Sequence, residues 1–485
     1  MNRIFLLGIF LVFCNISIAQ TEPIILPTPQ KVTVTPGDLS ISKAKKVKRI
    51  KNNSIPSEGY KLSITKKGVS ISYSDHNGYI YGLQTLEMLK NQYRAEGKIP
   101  CMVITDAPRV SWRSFLLDSG RQYQKPETIK KYIDLLSILK FNRFHWHLTE
   151  GLGWRMEIKQ YPLLTQVGAF VGKGKEQQGF YTQTEIAELI QYAKSKGITI
   201  VPEIDMPGHA EAALIAYPEL GCFGEKITAP ETGFTQHIFC AGKPATIAFL
   251  KNVLDEVCNV FPSEYIHLGG DEAPKGNWDK CPDCQKKIAE IGLKDSEGLQ
   301  MWFSAEMANH LKTKSRKAIF WDDIIVHGGY PLPDNITIHW WNWFGRKDLA
   351  YNRALQKGLE VICGTNVFTY LNYPVTPWAE YAKGRMFDMH DVYENNPSFV
   401  ITQNPLVLGM STSLWTDFNV TENMIDRRIL PRIFALAQQM WYSGNKIPFP
   451  EFYRQVKTLQ PYFEELQYEF GPGLRSEVDS TYKWD

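Results

Sequence analysis

The chain has 485 residues, more than one ordinary domain holds, so two or three units are expected. Hydrophobic residues make up 44% and charged residues 22%, which supplies a large core and excludes disorder as the main state. With 54 Lys plus Arg against 51 Asp plus Glu the formal charge is +3, which excludes a polybasic nucleic-acid or membrane-surface binder.

The N-terminus carries Arg3, the apolar run Ile4–Cys14 and the small residues of Ser17-Ile18-Ala19. This is the anatomy of a secretory signal peptide over residues 1–19, too short for a membrane span. Lipoprotein anchoring through Cys14 is disfavoured by the bulky Phe13 before it. A soluble secreted or periplasmic protein with no stable membrane anchor is expected.

Residues 20–108 read as a small α+β domain. Pro23–Pro36 is extended, Tyr60–Thr65 and Val69–Tyr73 are strand-like, and Tyr79–Tyr93 is an amphipathic helix with Ile80, Leu83, Leu86 and Leu89 on one face. Asp106-Ala107-Pro108-Arg109 reads as a boundary turn. Across residues 109–445 eight short apolar runs recur: Ser114–Asp118, Arg143–Thr149, Thr199–Asp205, Tyr265–Gly269, Ala318–Asp322, Thr337–Trp341, Glu360–Gly364 and Leu406–Met410. Helical patterns such as Lys125–Leu139, Gln183–Lys196 and Thr246–Val260 separate several of them. The alternation predicts an α/β fold, a (β/α)8 TIM barrel of parallel strands. Residues 446–485 read as a C-terminal helical extension, helix Phe449–Tyr468 and a polar tail, packed on the barrel.

Without Cys14, seven cysteines remain: Cys101, Cys222, Cys240, Cys258, Cys281, Cys284 and Cys363. The number is odd, so at least one thiol stays unpaired in a monomer. Cys222 and Cys240 flank a short loop-like stretch and could pair in an oxidising compartment. Cys281-Pro282-Asp283-Cys284 is a lone CxxC; a zinc knuckle needs a second pair, and none is recognisable. A loop staple or free thiols is the expectation, with no metal and no cofactor.

The chemistry-bearing residues follow the runs: Glu150, His209, Asp271-Glu272, Trp321, Trp341 and Trp415. The C-terminal ends of the strands are where a TIM barrel does its chemistry. The most informative string is His267-Leu268-Gly269-Gly270-Asp271-Glu272. Two glycines at a strand end permit unusual dihedrals and close approach of a ligand. Adjacent carboxylates push their pKa values apart, so one holds a proton near neutrality and suits a general acid. Two carboxyls placed across a sugar fit consecutive residues poorly. An acid beside a carboxylate that positions a nucleophile on the substrate itself fits better.

These residues resemble the signature of glycoside hydrolase family 20, the exo-β-N-acetylhexosaminidases. Similar motifs follow in order: Leu117-Asp118-Ser119-Gly120-Arg121, Phe144-His145-Trp146-His147-Leu148, Asp205-Met206-Pro207-Gly208-His209, Tyr370-Leu371-Asn372 and Leu414-Trp415-Thr416-Asp417, with Gly82-Leu83-Gln84-Thr85-Leu86 in the accessory domain. The resemblance implies retaining, substrate-assisted hydrolysis of terminal β-linked GlcNAc or GalNAc from a glycan, through an oxazolinium intermediate. It implies Glu272 as general acid and base, Asp271 holding the acetamido N–H and Tyr370 its oxygen. His209 would bridge Glu150 and Glu272. Arg121 would clamp ring hydroxyls, with a structural ion pair as the alternative. Trp321, Trp341 and Trp415 would wall the pocket, and Asn372 and Asp417 would reach sugar hydroxyls. Trp341 is chosen over Trp340 by motif position.

The chain departs from the family pattern at Thr149-Glu150-Gly151, where Asp-Asp is common, at Asp417, where Glu is common, and at Ser119-Gly120. Two rivals stay within the family's scaffold: a lacto-N-biosidase-type member and a non-catalytic glycan-binding protein. A third, a metal hydrolase, rests on His145-Trp146-His147, for which no clear set of partner ligands is visible.

Overall fold

Alternation builds the N-terminal sheet. In the computed structural model, which describes residues 23–172, 174, 178–230, 235–377, 385–399, 404–417 and 420–479, strands β1 (Lys31–Ser40), β2 (Val47–Lys51), β3 (Tyr60–Thr65), β4 (Gly68–Tyr73) and β5 (Lys98–Asp106) pair in the order β1-β5-β3-β4-β2. The expected leader lies outside the described residues. Along β3, Tyr60, Leu62 and Ile64 are buried while Lys61 and Thr65 face water. The helix His76–Gln92 packs on β3 and β4. It begins three residues before the expected start because Asp75 caps it, accepting the Gly78 N–H. Leu86 and Leu89 are buried there, and Ile80 and Leu83 half-buried.

The extended reading of Pro23–Pro36 covers the first part of β1, which runs on to Ser40. β1 pairs with β5, and their register shifts between Val34 and Asp38, around Pro36-Gly37. Pro36 and Gly37 therefore sit in an irregularity within the strand.

All eight expected strands form the barrel. β6 (Trp112–Asp118), β7 (Arg143–His147), β10 (Thr199–Glu203), β11 (Tyr265–His267), β12 (Lys317–Trp321), β13 (Ile336–Trp340), β14 (Glu360–Cys363) and β15 (Val407–Leu414) close parallel, with a hairpin of β8 (Thr149–Glu150) and β9 (Gly153–Trp154) after β7. β6 and β13 are buried along their whole length, as strands between helices and a filled barrel must be. β15 extends past the expected Met410, because Ser411, Thr412 and Ser413 are buried and pair with β6. Their hydroxyls broke the apolar pattern, not the strand.

Buried Asp106 joins the parts. It accepts from Tyr60 Oη at 2.7 Å, from Lys140 Nζ at 2.9 Å and from Trp441 Nε1 at 2.9 Å, so sheet, barrel and the helix Arg432–Trp441 meet at one carboxylate. The last long helix, Phe449–Glu465, buries Phe452, Val456, Leu459 and Phe463 at helical spacing. Tyr468 beyond it donates to the Lys131 carbonyl at 2.8 Å. Among the described residues no helix is long and apolar enough to cross a membrane.

Candidate active site

The strand ends converge as a TIM barrel requires. β11 stops at His267 because Gly269 and Gly270 take φ of +64° and +95°. The close approach at Gly269 is made by the protein itself rather than by a ligand. A Cβ there would meet Asp205 Oδ1 at 1.7 Å, and Asp205 accepts the Gly270 N–H at 3.1 Å. The turn delivers Asp271 and Glu272 to one side of the barrel mouth.

Two non-glycine residues at this point hold left-handed backbone, His209 at φ +49° and Glu272 at +48°. Such backbone is costly and persists where surrounding contacts over-determine it. The two side chains face each other. His209 Nε2 lies 3.6 Å from Asp271 Oδ2 and 3.7 Å from Glu272 Oε2, and its Nδ1 lies 2.8 Å from Glu150 Oε1. Glu150 is buried, which works against its charge, but Arg121 and His209 outweigh the burial and hold its carboxyl well below the usual range. Burial also opposes a charged His209, yet Glu150 and Asp271 raise its pKa well above that of a free imidazole. Burial and the adjacent Asp271 push the Glu272 carboxyl up to about 7.

Arg121 makes the structural ion pair that stood as the alternative to a sugar clamp. Its guanidinium pairs with Asp118 at 2.8 Å and Glu150 at 2.5 Å, and it lies over the Trp415 ring at 5.4 Å. Its side chain remains 15% exposed. Asn372 donates to Asp417 at 3.2 Å, and burial raises the Asp417 carboxyl to about 6.

The aromatic residues separate by depth. Trp321 is enclosed, donating through Nε1 to Glu203 at 2.8 Å and stacked on His339 at 4.1 Å, so it lies beneath the mouth. Trp415 is half-buried, 5.8 Å from Trp321 and 5.8 Å from Tyr370 between ring centroids. Trp341 stands parallel to Tyr370 at 6.3 Å and 9°, whereas Trp340 is buried and donates to the Lys347 carbonyl. The second tryptophan is the one beside the tyrosine.

Several contributors escaped the sequence reading. Asp323 accepts from Trp341 Nε1 at 2.7 Å and from the Glu272 N–H at 3.4 Å, and is paired with Arg346 at 3.0 Å. It lies just past the end assigned to the fifth run; the doubled Asp322-Asp323 was the available signal. Buried Arg428 and Arg432 donate to the carbonyls of Asn372 and of Leu371 and Tyr373, fixing the loop that carries Tyr370. Helix arginines with this duty give no local signal.

His145 and His147 do have neighbours that sequence reasoning did not see. His145, His267 and His339 bring ring nitrogens within 4.8 Å of one another. The pair itself faces a carboxylate: Glu203 lies 2.8 Å from His145 Nε2, 2.7 Å from His147 Nδ1 and 3.0 Å from His267 Nδ1. Burial and His267 lower the His145 pKa to about 4, leaving that ring neutral.

Residues 110–444 match glycosyl hydrolase family 20, catalytic domain, and residues 42–107 match domain 2 of the same family. A beta-hexosaminidase of Akkermansia muciniphila is 31% identical over 462 residues, which cover 93% of this chain and 92% of that protein. A beta-hexosaminidase of Porphyromonas gingivalis is 37% identical over 82% of this chain, and the chain spans about half of that relative, 52%. The crystal structure of the beta-N-acetylhexosaminidase from Bacteroides fragilis is similar with a TM-score of 0.91 at 54% identity, covering 96% of this chain and 100% of that one. Because the catalytic-domain match spans more than half of the sequence and contains the barrel together with His209, Asp271 and Glu272, the chain belongs to glycosyl hydrolase family 20.

Proposed function

We propose that the protein is a retaining exo-β-N-acetylhexosaminidase that releases terminal β-linked GlcNAc or GalNAc by substrate assistance. The observation that carries the reading is the placement of Asp271 and Glu272 within 3.7 Å of one His209 nitrogen, on one side of the mouth. Glu272, protonated up to about pH 7, protonates the leaving oxygen. Asp271 accepts the acetamido N–H and stabilises the positive charge that develops there. The acetamido oxygen attacks the anomeric carbon, the aglycone departs with the Glu272 proton, and an oxazolinium ion forms. Water then opens it, giving its proton to Glu272 and restoring the acetamide with net retention. Tyr370 directs the acetamido oxygen, and Trp341 and Trp415 flank it. Orientation is the main contribution, since a floppy neighbouring group becomes an aligned nucleophile. The names of the Akkermansia and Bacteroides relatives support the same substrate class.

The test is hydrolysis of aryl β-glycosides of GlcNAc, GalNAc and Glc by wild type and Glu272→Gln. Cleavage confined to the N-acetyl sugars and lost in the variant is expected. Equal cleavage of the plain glucoside contradicts substrate assistance. No cleavage of any contradicts this activity and turns attention to a lacto-N-bioside donor or a binding role.

A further inference from the structure

Four of the seven cysteines lie together, away from the reaction. Cys222, Cys240, Cys281 and Cys284 are buried free thiols whose sulfurs all lie within 4.8 Å of one another. The expectation that Cys281 and Cys284 lack a second pair is therefore overturned. Cys222 and Cys240 form it in space, with a spacing that is no CxxC.

The distances discriminate between fates. Cys240 Sγ lies 3.5 Å from Cys284 Sγ and 3.7 Å from Cys281 Sγ, and Cys222 Sγ lies 4.0 Å from Cys284 Sγ. A disulfide needs about 2.05 Å. Four sulfurs arranged tetrahedrally at about 2.3 Å from a zinc ion stand about 3.8 Å apart, and the observed separations bracket that value.

The surrounding backbone is built to bring the pairs together. Gly221 bridges Phe239, and the Cys240 N–H donates to the Leu220 carbonyl at 2.9 Å, which sets the first pair. Cys281 is the N-cap of the helix Pro282–Glu290, and Cys284 lies in its first turn. Trp278 Nε1 donates to the Phe239 carbonyl at 3.0 Å, tying the second pair to the first. Gly242 packs so tightly on that helix start that a Cβ would meet Asp283 C at 2.2 Å and Cys284 N at 2.3 Å. Only glycine allows such an approach.

We propose that the four thiols form a closed structural zinc site. On binding, the four thiols lose their protons and the ion takes four thiolates, with no open position for substrate. The helix start and Lys243, whose Nζ donates to the Gly221 carbonyl at 2.6 Å, offset the excess negative charge. The site clamps two loops that carry the reacting groups. Cys222 and Cys240 belong to the connection after β10, which bears Asp205 and His209; Cys281 and Cys284 follow Asp271 and Glu272 after β11. The Phe239 N–H donates to the Pro207 carbonyl at 2.9 Å, and Asn277 Nδ2 to the Gln236 carbonyl at 2.8 Å, so the clamp reaches the His209 turn through the backbone.

The expected export of the chain makes disulfide formation the competing fate. The experiment measures metal by elemental analysis and disulfides by intact mass and alkylation, on full-length protein purified without chelator. One zinc per chain is expected, with all four thiols alkylated only when a chelator strips the metal from unfolded protein, and with a lower Tm for the unalkylated metal-free protein that added zinc restores. Cys281→Ser should lose the zinc, whereas Cys258→Ser, altering a buried thiol outside the cluster, should keep it. Absence of zinc from wild type, iron in its place, disulfides within the set, or zinc retained by both Cys281→Ser and Cys284→Ser would each overturn the proposal.

Discussion

Glu150 Oε1 lies 2.8 Å from His209 Nδ1, which turns the other edge of the imidazole toward Asp271 and Glu272. This contact makes the local charge legible. Glu150 favours a cationic His209, and a cationic His209 restrains the upward shift that burial and Asp271 impose on Glu272. Arg121, paired with the same Glu150 Oε1, belongs to the same network.

The pH profile follows from Glu272. A general acid with its pKa raised to about 7 is protonated below that value and ionised above it. Activity that needs the proton is therefore expected to fall as pH rises through about 7. Measuring kcat/KM from pH 5 to 9 checks this. Glu272→Gln should lose the limb together with a factor of about 10²–10⁴ in rate.

The same shift affects stability with a defined sign. The folded pKa lies above the ordinary 4.5, so the folded state binds more protons between the two values. The stabilising contribution is full below about 4.5 and is lost as pH rises through about 7. At pH 8, Glu272→Gln should thus be more stable than wild type, by roughly 1 kcal/mol once the exposure of this side chain is discounted. Chemical denaturation at pH 5 and pH 8 reads the difference, which should shrink at the lower pH.

Glu150→Gln removes the charge that holds His209 cationic. The His209 pKa should fall, its restraint on Glu272 should weaken, and the alkaline limb should move to higher pH. The variant also leaves Arg121 short of a buried partner, a loss of about 3 kcal/mol. A pH profile and a melting curve separate the two effects, because a purely structural loss would leave the limb in place.

Gly269→Ala tests the turn. The new Cβ would sit on Asp205 Oδ1 at a backbone φ of +64°. The left-handed backbone alone costs about 1–2 kcal/mol, and the clash displaces Asp205 or the turn. Loss of soluble yield or a large fall in Tm is expected; a wild-type melting curve would show that the turn can move.

Asp417→Glu restores the longer acid common in the family. Asn372 now holds the shorter side chain at 3.2 Å. The extra methylene should change the ratio of GalNAc to GlcNAc hydrolysis while leaving the alkaline limb set by Glu272 unmoved, as paired kinetics would show.

The barrel was readable because parallel strands buried on both faces are continuous apolar runs, and all eight stood out. What hid was polar material inside the barrel. Ser411, Thr412 and Ser413 fell outside the apolar run but belong to β15, and Glu203, inside its run, gathers three histidines. The second half of β1, past Pro36-Gly37, was missed. Asp271 and Glu272 were conspicuous in sequence because strand, glycines and acids are contiguous there. The four-cysteine cluster was not, since its halves lie on separate barrel connections and meet only in the fold.

The most direct test of substrate assistance varies the nucleophile on the substrate. Aryl β-glycosides of glucosamine bearing acetyl, fluoroacetyl, difluoroacetyl and trifluoroacetyl groups carry progressively poorer carbonyl nucleophiles. Steeply falling kcat across the series, with the same leaving group throughout, is the expected result. A rate independent of fluorination would contradict the account, because it would mean that the acetamido oxygen forms no bond to the anomeric carbon.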